Sequence, residues 1–240
     1  ELDRAAPHVR LINLETSITT SDHYWKGKGI NYRMHPQNIA SLTAAGIDAC
    51  TLANNHVLDW GYAGLSETLE SLKNVNIQTA GAGRNIAAAE APAVIPVSGR
   101  SRVLVFAFGL TSSGIPLNWA AGKNRAGVYL LPDLGAKSVR QVQRKIQEFK
   151  RTGDIVVASI HWGGNWGYDI SRQQTLFARR LIDDGGVDII HGHSSHHVKA
   201  IEVYKDKLIL YGCGDFLNDY EGIGGYEEFR PDLALMYFAT

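Results

Sequence analysis

Apolar positions along the chain fall into short runs separated by stretches of helical period, and this alternation predicts a layered α/β fold. Residues 9–14, Val-Arg-Leu-Ile-Asn-Leu, read as a first strand, whereas Glu1 to His8 carries no helix signal. A polar loop from Thr19 to Arg33 leads to a helix that opens near Pro36. That helix places Ile39, Leu42 and Ala45 on one face and closes at Gly46. Residues 50–53 form the next strand; Leu65, Leu69 and Leu72 then recur at helical spacing before a strand at 77–79. Residues 93–97 and 103–108 flank Ser98-Gly99-Arg100 as a hairpin. Val139, Val142, Ile146 and Phe149 mark a helix, 155–160 a buried strand, 173–183 a helix, and 187–190, 200–204 and 208–211 further strands. Residues 233–238 are expected to close the sheet. Parallel βα units mixed with hairpins predict a strand-rich sandwich covered by helices.

The 240 residues suffice for one core, so a single domain spanning 1–240 is expected. Lys+Arg 24 balances Asp+Glu 24, which excludes a basic nucleic-acid tail and leaves electrostatic specificity to local clusters. The longest strongly apolar run, 103–108, is far shorter than the roughly 20 residues that span a bilayer. Cys50 and Cys213 form no CxxC pair, which argues against a disulfide framework or a thiolate metal site. A core strand so close to the first residue leads to the expectation that a preceding segment completes the domain and, as an apolar anchor, associates it with the cell envelope.

Polar residues without an evident structural reason collect at the carboxyl ends of the strands. Glu15 follows the first; Asn54-Asn55-His56, with Asp59, follows the second; His161 ends 155–160; and His191-Gly192-His193 ends 187–190. In open α/β sheets the loops at that edge converge, so these residues can share one site. Carboxylate, amide oxygen and imidazole make a donor set suited to manganese, iron, zinc or magnesium, one ion or two. Glu15 can bridge cations, Asn55 can offer its amide oxygen, and His161, His193 and His196 can offer neutral nitrogens. Two such ions can activate a water for displacement at phosphorus. His56 then stands beside them as the catalytic acid or transition-state donor, with Asp59 orienting it.

Each residue also has a plainer reading. Glu15 could cap a turn, Asn54-Asn55 could be a turn pair, and His161 could be a satisfied core histidine. The four histidines within 191–197 are harder to dismiss, and the combination carries the signal. Lys28 and Arg33, in the glycine-containing loop, are candidates to hold an anionic substrate, set against a solvated loop. Trp162, with Trp166 and Tyr168, is a candidate pocket wall, set against core filling. Gly81-Ala82-Gly83 lacks the third glycine of a dinucleotide fingerprint and reads as a turn, and no Gly-Xaa-Ser-Xaa-Gly elbow occurs.

Taken in order, Asn13-Leu14-Glu15-Thr16, Leu52-Ala53-Asn54-Asn55-His56 with Asp59 and Gly61, Ile160-His161-Trp162-Gly163, the histidine cluster before Glu202, and Tyr211-Gly212-Cys213-Gly214-Asp215-Phe216 resemble the bacterial CapA family of capsule-biosynthesis, or poly-γ-glutamate synthesis, proteins. That family is similar to the calcineurin-like metallophosphoesterases. The resemblance implies a four-layered α/β/β/α sandwich with a dinuclear metal centre, Glu15 bridging, Asn55 and His161 as ligands and His56 catalytic. Three departures stand out. Gly192-His193-Ser194-Ser195-His196-His197 replaces the family's His-Pro-His, leaving His193 and His196 as the chosen ligands. Asp215 stands where asparagine is usual. Nothing before Asn13 matches the family's opening Gly-Asp strand, which implies an incomplete first metal site or a missing first strand. The implied functions are a metal-dependent phosphoester hydrolase of capsule metabolism, a non-catalytic subunit that binds or exports poly-γ-glutamate within a membrane-associated synthesis complex, or a metal-dependent amide hydrolase.

Overall fold

A computed structural model describes residues 2–97, 99, 101–218 and 224–239. The chain runs α1 (Leu2–Ala5), β1 (Leu11–Asn13), β2 (Ser17–Ile18), β3 (Arg33–Met34), a 3₁₀ turn (Pro36–Ile39) continued by α2 (Ala40–Ala44), β4 (Ala49–Thr51), α3 (Gly61–Asn74), β5 (Gln78–Ala80), β6 (Ala82–Gly83), α4 (Ile86–Glu90), β7 (Ala93–Pro96), β8 (Arg102–Gly109), β9 (Gly127–Val128), α5 (Ala136–Phe149), β10 (Ile155–His161), α6 (Arg172–Asp183), β11 (Ile189–His193), β12 (Ile201–Tyr204) and β13 (Lys207–Leu210). One sheet has three parallel strands in the order β1-β4-β5. A second has six, in the order β12-β13-β11-β10-β8-β7, parallel at its centre and antiparallel at both edges, and β2-β3 and β6-β9 form two small two-stranded sheets. The 93–108 hairpin supplies one antiparallel edge, β7 on β8, as its turn residues predict.

The period of two along the central strands sorts their side chains between two cores. Val103, Val105, Ala107 and Val157 pack with the three-stranded sheet and with Leu65 and Leu72 of α3. The alternate residues Leu104, Phe106, Phe108, Val156, Ala158 and Ile160 pack under α5 and α6, against Val142, Ile146, Phe177 and Leu181. A central strand buried on both faces therefore reads as the continuous apolar run seen at 155–160. A capping box between Ser171 and Gln174 starts α6 at Arg172, one residue ahead of the expected start.

Three sequence expectations need correction. Residues 2–5 form a single helical turn, too short to leave any periodicity in the sequence. Residues 233–238 pair with no strand, and Leu233, Leu235 and Phe238 stay about half exposed, because apolar content alone provides no neighbour for the backbone to bond. The strand expected at 187–190 instead begins at Ile189 and continues through His193. Gly192 permits that extension: a Cβ there would lie 2.5 Å from the carbonyl oxygens of Leu210 and Tyr211.

Candidate functional site

Strand register creates the site. His161 ends β10 and pairs with His193 at the end of β11, while Ser159 pairs with His191, so four polar side chains occupy the face that meets the three-stranded sheet. Opposite them lie the loops after β1 and β4. Asn54 ties those loops together: its side-chain amide donates to Leu14 O (2.8 Å) and Asn13 Oδ1 (3.1 Å), and its Oδ1 accepts from His56 N (3.1 Å). Asn54 is thus the structural member of the Asn-Asn pair, and Asn55 the one turned to the site.

His161 Nε2 lies 3.1 Å from Asn55 Oδ1 and 3.6 Å from Glu15 Oε1. Asn13 Nδ2 donates to the other Glu15 oxygen at 2.7 Å and fixes that carboxylate. Two oxygen acceptors from two loops therefore face one imidazole nitrogen, which a single divalent cation can bind in place of the shared proton. Among the described residues no three His, Cys, Asp or Glu side chains form such a group by themselves. The amide oxygen of Asn55 supplies the third donor, and this set fits one ion.

Behind His161, its Nδ1 meets His193 Nδ1 at 2.7 Å; His193 Nε2 in turn meets Ser159 Oγ at 2.8 Å. Ser159 also contacts His191 Nδ1 at 3.0 Å and donates to Thr51 Oγ1 of the facing sheet at 3.1 Å. His193 therefore occupies the position of a partner that orients His161 rather than sharing its Nε2 side. Burial holds His161 at about 3 and His191 at about 4, against an ordinary 6.5. Both rings are neutral when folded and gain protons when unfolded below 6.5. Stability is accordingly full above pH 6.5 and falls as pH drops through about 4 toward 3. Glu15, pushed up to about 7 chiefly by burial, contributes with the opposite sign, losing its stabilisation as pH rises through that value. We expect the urea midpoint, measured with a chelator present, to fall across the acid window and to fall less steeply in His191→Asn. Equal slopes in the two proteins would rule out the buried ring as a source.

A second cluster adjoins the first. Asp59, fully buried, accepts from Lys28 Nζ, from Tyr32 N (2.6 Å) and from His56 Nδ1 (2.7 Å). With the ammonium already donating to one carboxylate oxygen, the consistent tautomer carries the His56 proton on Nδ1 and leaves Nε2 as acceptor. Burial lowers both the His56 and the Lys28 pKa, while Asp59 opposes the shift in each. His196 pairs with Asp215 at 2.9 Å. Burial opposes protonation of His196, but the Asp215 bond and charge, joined by the charge of Glu15, outweigh it and raise its pKa.

The proposed substrate residues separate. Lys28 lies within the site. Arg33 turns away from it, donating to Ser21 O and Asp22 and lying 4.3 Å over the Trp60 ring. Trp162 is 2% exposed, donates to Tyr211 O and packs against Phe177, so it fills the core under α6 because residue 162 has the opposite parity to His161. Trp166 instead stacks on Tyr226 at 4.0 Å and lies 5.5 Å from the His196 ring, at the edge of the site. Tyr32 and Ser159 were not among the expected site residues and had no signal in the sequence. Asn13, His191 and Asp215 stood within the motifs Asn13-Leu14-Glu15-Thr16, His191-Gly192-His193 and Gly212-Cys213-Gly214-Asp215 but were given no role. Cys50 and Cys213 are free thiols that burial pushes up to about 12, so both remain neutral bystanders near pH 7.

Residues 1–220 match the family model described as "Bacterial capsule synthesis protein PGA_cap". The chain belongs to this family. It is 48% identical over 240 residues to a probable polyglutamine synthesis accessory protein of Mycobacterium tuberculosis, covering all of this chain and 63% of that one. The PGA biosynthesis protein CapA of Bacillus subtilis is 32% identical over 227 residues, covering 94% of this chain and 56% of the relative. The capsule biosynthesis protein CapA of Bacillus anthracis is 28% identical over 210 residues, with 86% and 49% covered. This PGA_cap member thus spans between about half and two thirds of those relatives. No helix among its described residues is long and apolar enough to cross a membrane.

Proposed function

We propose that this PGA_cap domain is a divalent-metal-dependent hydrolase of phosphoester type, working in capsule or polyglutamate biosynthesis. The observation that carries the reading is the approach of Glu15 Oε1 and Asn55 Oδ1 to His161 Nε2, next to an Asp59-held His56. Glu15, Asn55 and His161 would hold the ion, with His193 orienting His161 from behind. A divalent cation supplies Lewis acidity toward a phosphoryl oxygen and lowers the pKa of a coordinated water. The chain's own residues do the rest. Lys28 places positive charge where an anionic ester docks, and His56, once it has taken up a second proton at Nε2, delivers that proton to the leaving oxygen while Asp59 accepts from Nδ1 and stabilises the transient imidazolium. His196, held by Asp215, adds a second proton donor near Glu15. The same reading takes α3, the two sheets and the α5–α6 pair as a four-layered sandwich of the metallophosphoesterase type.

Calorimetric titration with manganese tests the ion site, expected to bind one equivalent in the parent chain and none in Glu15→Gln or His161→Ala. Manganese-dependent release of phenolate from an aryl phosphoester tests the reaction. A chain that binds manganese but leaves aryl esters intact, and cleaves poly-glutamate instead, would replace the phosphoester reading with amide hydrolysis. One that does neither would leave a binding subunit of a capsule-synthesis complex.

A further inference from the structure

We infer that the outer face of α5, with the groove it forms against α6, is a docking surface for an extended polycarboxylate chain, separate from the histidine site. Between positions 136 and 151 the sequence carries Lys137, Arg140, Arg144, Lys145, Lys150 and Arg151 against the single acid Glu148, although the whole chain has no net charge. Lys137, Arg140 and Arg144 stand at i, i+3 and i+7, hence on one face, and all three are exposed. They line an open groove with Gln143; Arg180 of α6 extends it, and Asp184 is the one acid along it. At 1.5 Å per residue the three cations span about 10 Å of helix.

Helix stability does not account for this face. Like charges three and four residues apart are unfavourable, and Lys137 stands in a first turn without an acidic residue, against the helix dipole. Other cations on α5, on α6 and in the β12–β13 hairpin are neutralised: Lys145 by Glu90 and Glu148, Arg179 by Glu202, Lys205 by Asp183 and Lys207 by Asp188. Among the described residues no carboxylate lies within ion-pair distance of Lys137, Arg140, Arg144 or Arg180. Asp133 feels the Lys137 charge from beyond contact distance, but the row lacks ion-pair partners among the described residues, and its fork-shaped guanidinium groups complement carboxylates repeated along a polymer. A membrane surface fits less well, since the large apolar side chains that would enter a bilayer are absent from the exposed face of α5. The choice of a polycarboxylate rests on the proposed place of this chain in polyglutamate biosynthesis; the surface itself does not depend on metal or catalysis.

Fluorescence anisotropy of labelled poly-glutamate, with the whole chain and with or without chelator, tests the proposal. Lys137→Glu/Arg140→Glu/Arg144→Glu is expected to weaken binding about tenfold or more and to flatten its salt dependence, while Lys73→Glu on α3 changes neither. The milder Lys137→Gln/Arg140→Gln/Arg144→Gln triple should lie between them, with circular dichroism unchanged. Manganese binding and ester hydrolysis should be retained in every variant, so failure of the site reading and failure of this one are separable. Polymer binding that survives the triple reversal would overturn the proposal. So would anionic vesicles binding in a reversal-sensitive way while poly-glutamate does not.

Discussion

His56→Ala is expected to lower the turnover of a manganese-dependent ester hydrolysis by about 10²- to 10⁴-fold while leaving manganese affinity unchanged. The separation follows from the geometry. His56 bonds Asp59 and lies beside Lys28, whereas the atoms that approach His161 Nε2 come from Glu15 and Asn55. Removing the imidazole takes away the proton carrier and leaves the donor set in place. The loss should be in kcat, with KM little changed, and should shrink for esters whose leaving group needs no proton. Asp59→Asn should reproduce part of it, because an amide can no longer accept both the Lys28 and the His56 protons. Parallel loss of metal affinity in His56→Ala would show that the two clusters are one, and equal losses for good and poor leaving groups would remove the proton-donor role.

Phe108→Ala is expected to destabilise the chain by about 3–5 kcal/mol. Phe108 is fully buried near the end of β8, on the face under the helices, and meets Tyr129 (5.9 Å) and Phe177 (6.1 Å) edge to face. Its loss leaves a cavity between a strand buried on both faces and α6, where neither can move inward without breaking the ladder. Leu117→Ala, at a side chain 74% exposed, should change stability by less than about 0.5 kcal/mol. Urea denaturation measures both. A small effect at Phe108 would mean that the second core collapses to fill the gap.

The elements of the fold were largely readable because their causes are local. The continuous apolar run at 103–108 and the i, i+3, i+7, i+10 spacing of α5 each arise within a few residues, and both elements, like α6, formed within a few residues of their expected places. Residues 233–238 show the limit: their composition favours a strand, but a strand also needs a partner edge, which no single segment encodes. The one-turn helix at 2–5 escaped for the opposite reason, having too few residues to show a period.

For the site, sequence determined which chemistry was at hand: a carboxylate, two amides and a set of imidazoles, each at the carboxyl end of an apolar run. Their motifs also sufficed to place the chain among the bacterial capsule synthesis proteins. Only tertiary structure decided how those groups divide. Pairing β10 with β11 in register set His193 behind His161, and strand parity sent Trp162 into the core. Packing of the two sheets brought Glu15 and Asn55 to the same nitrogen. The physical reason is that side-chain type is a property of one position, whereas proximity depends on register, parity and the contact between sheets, which link residues more than a hundred positions apart.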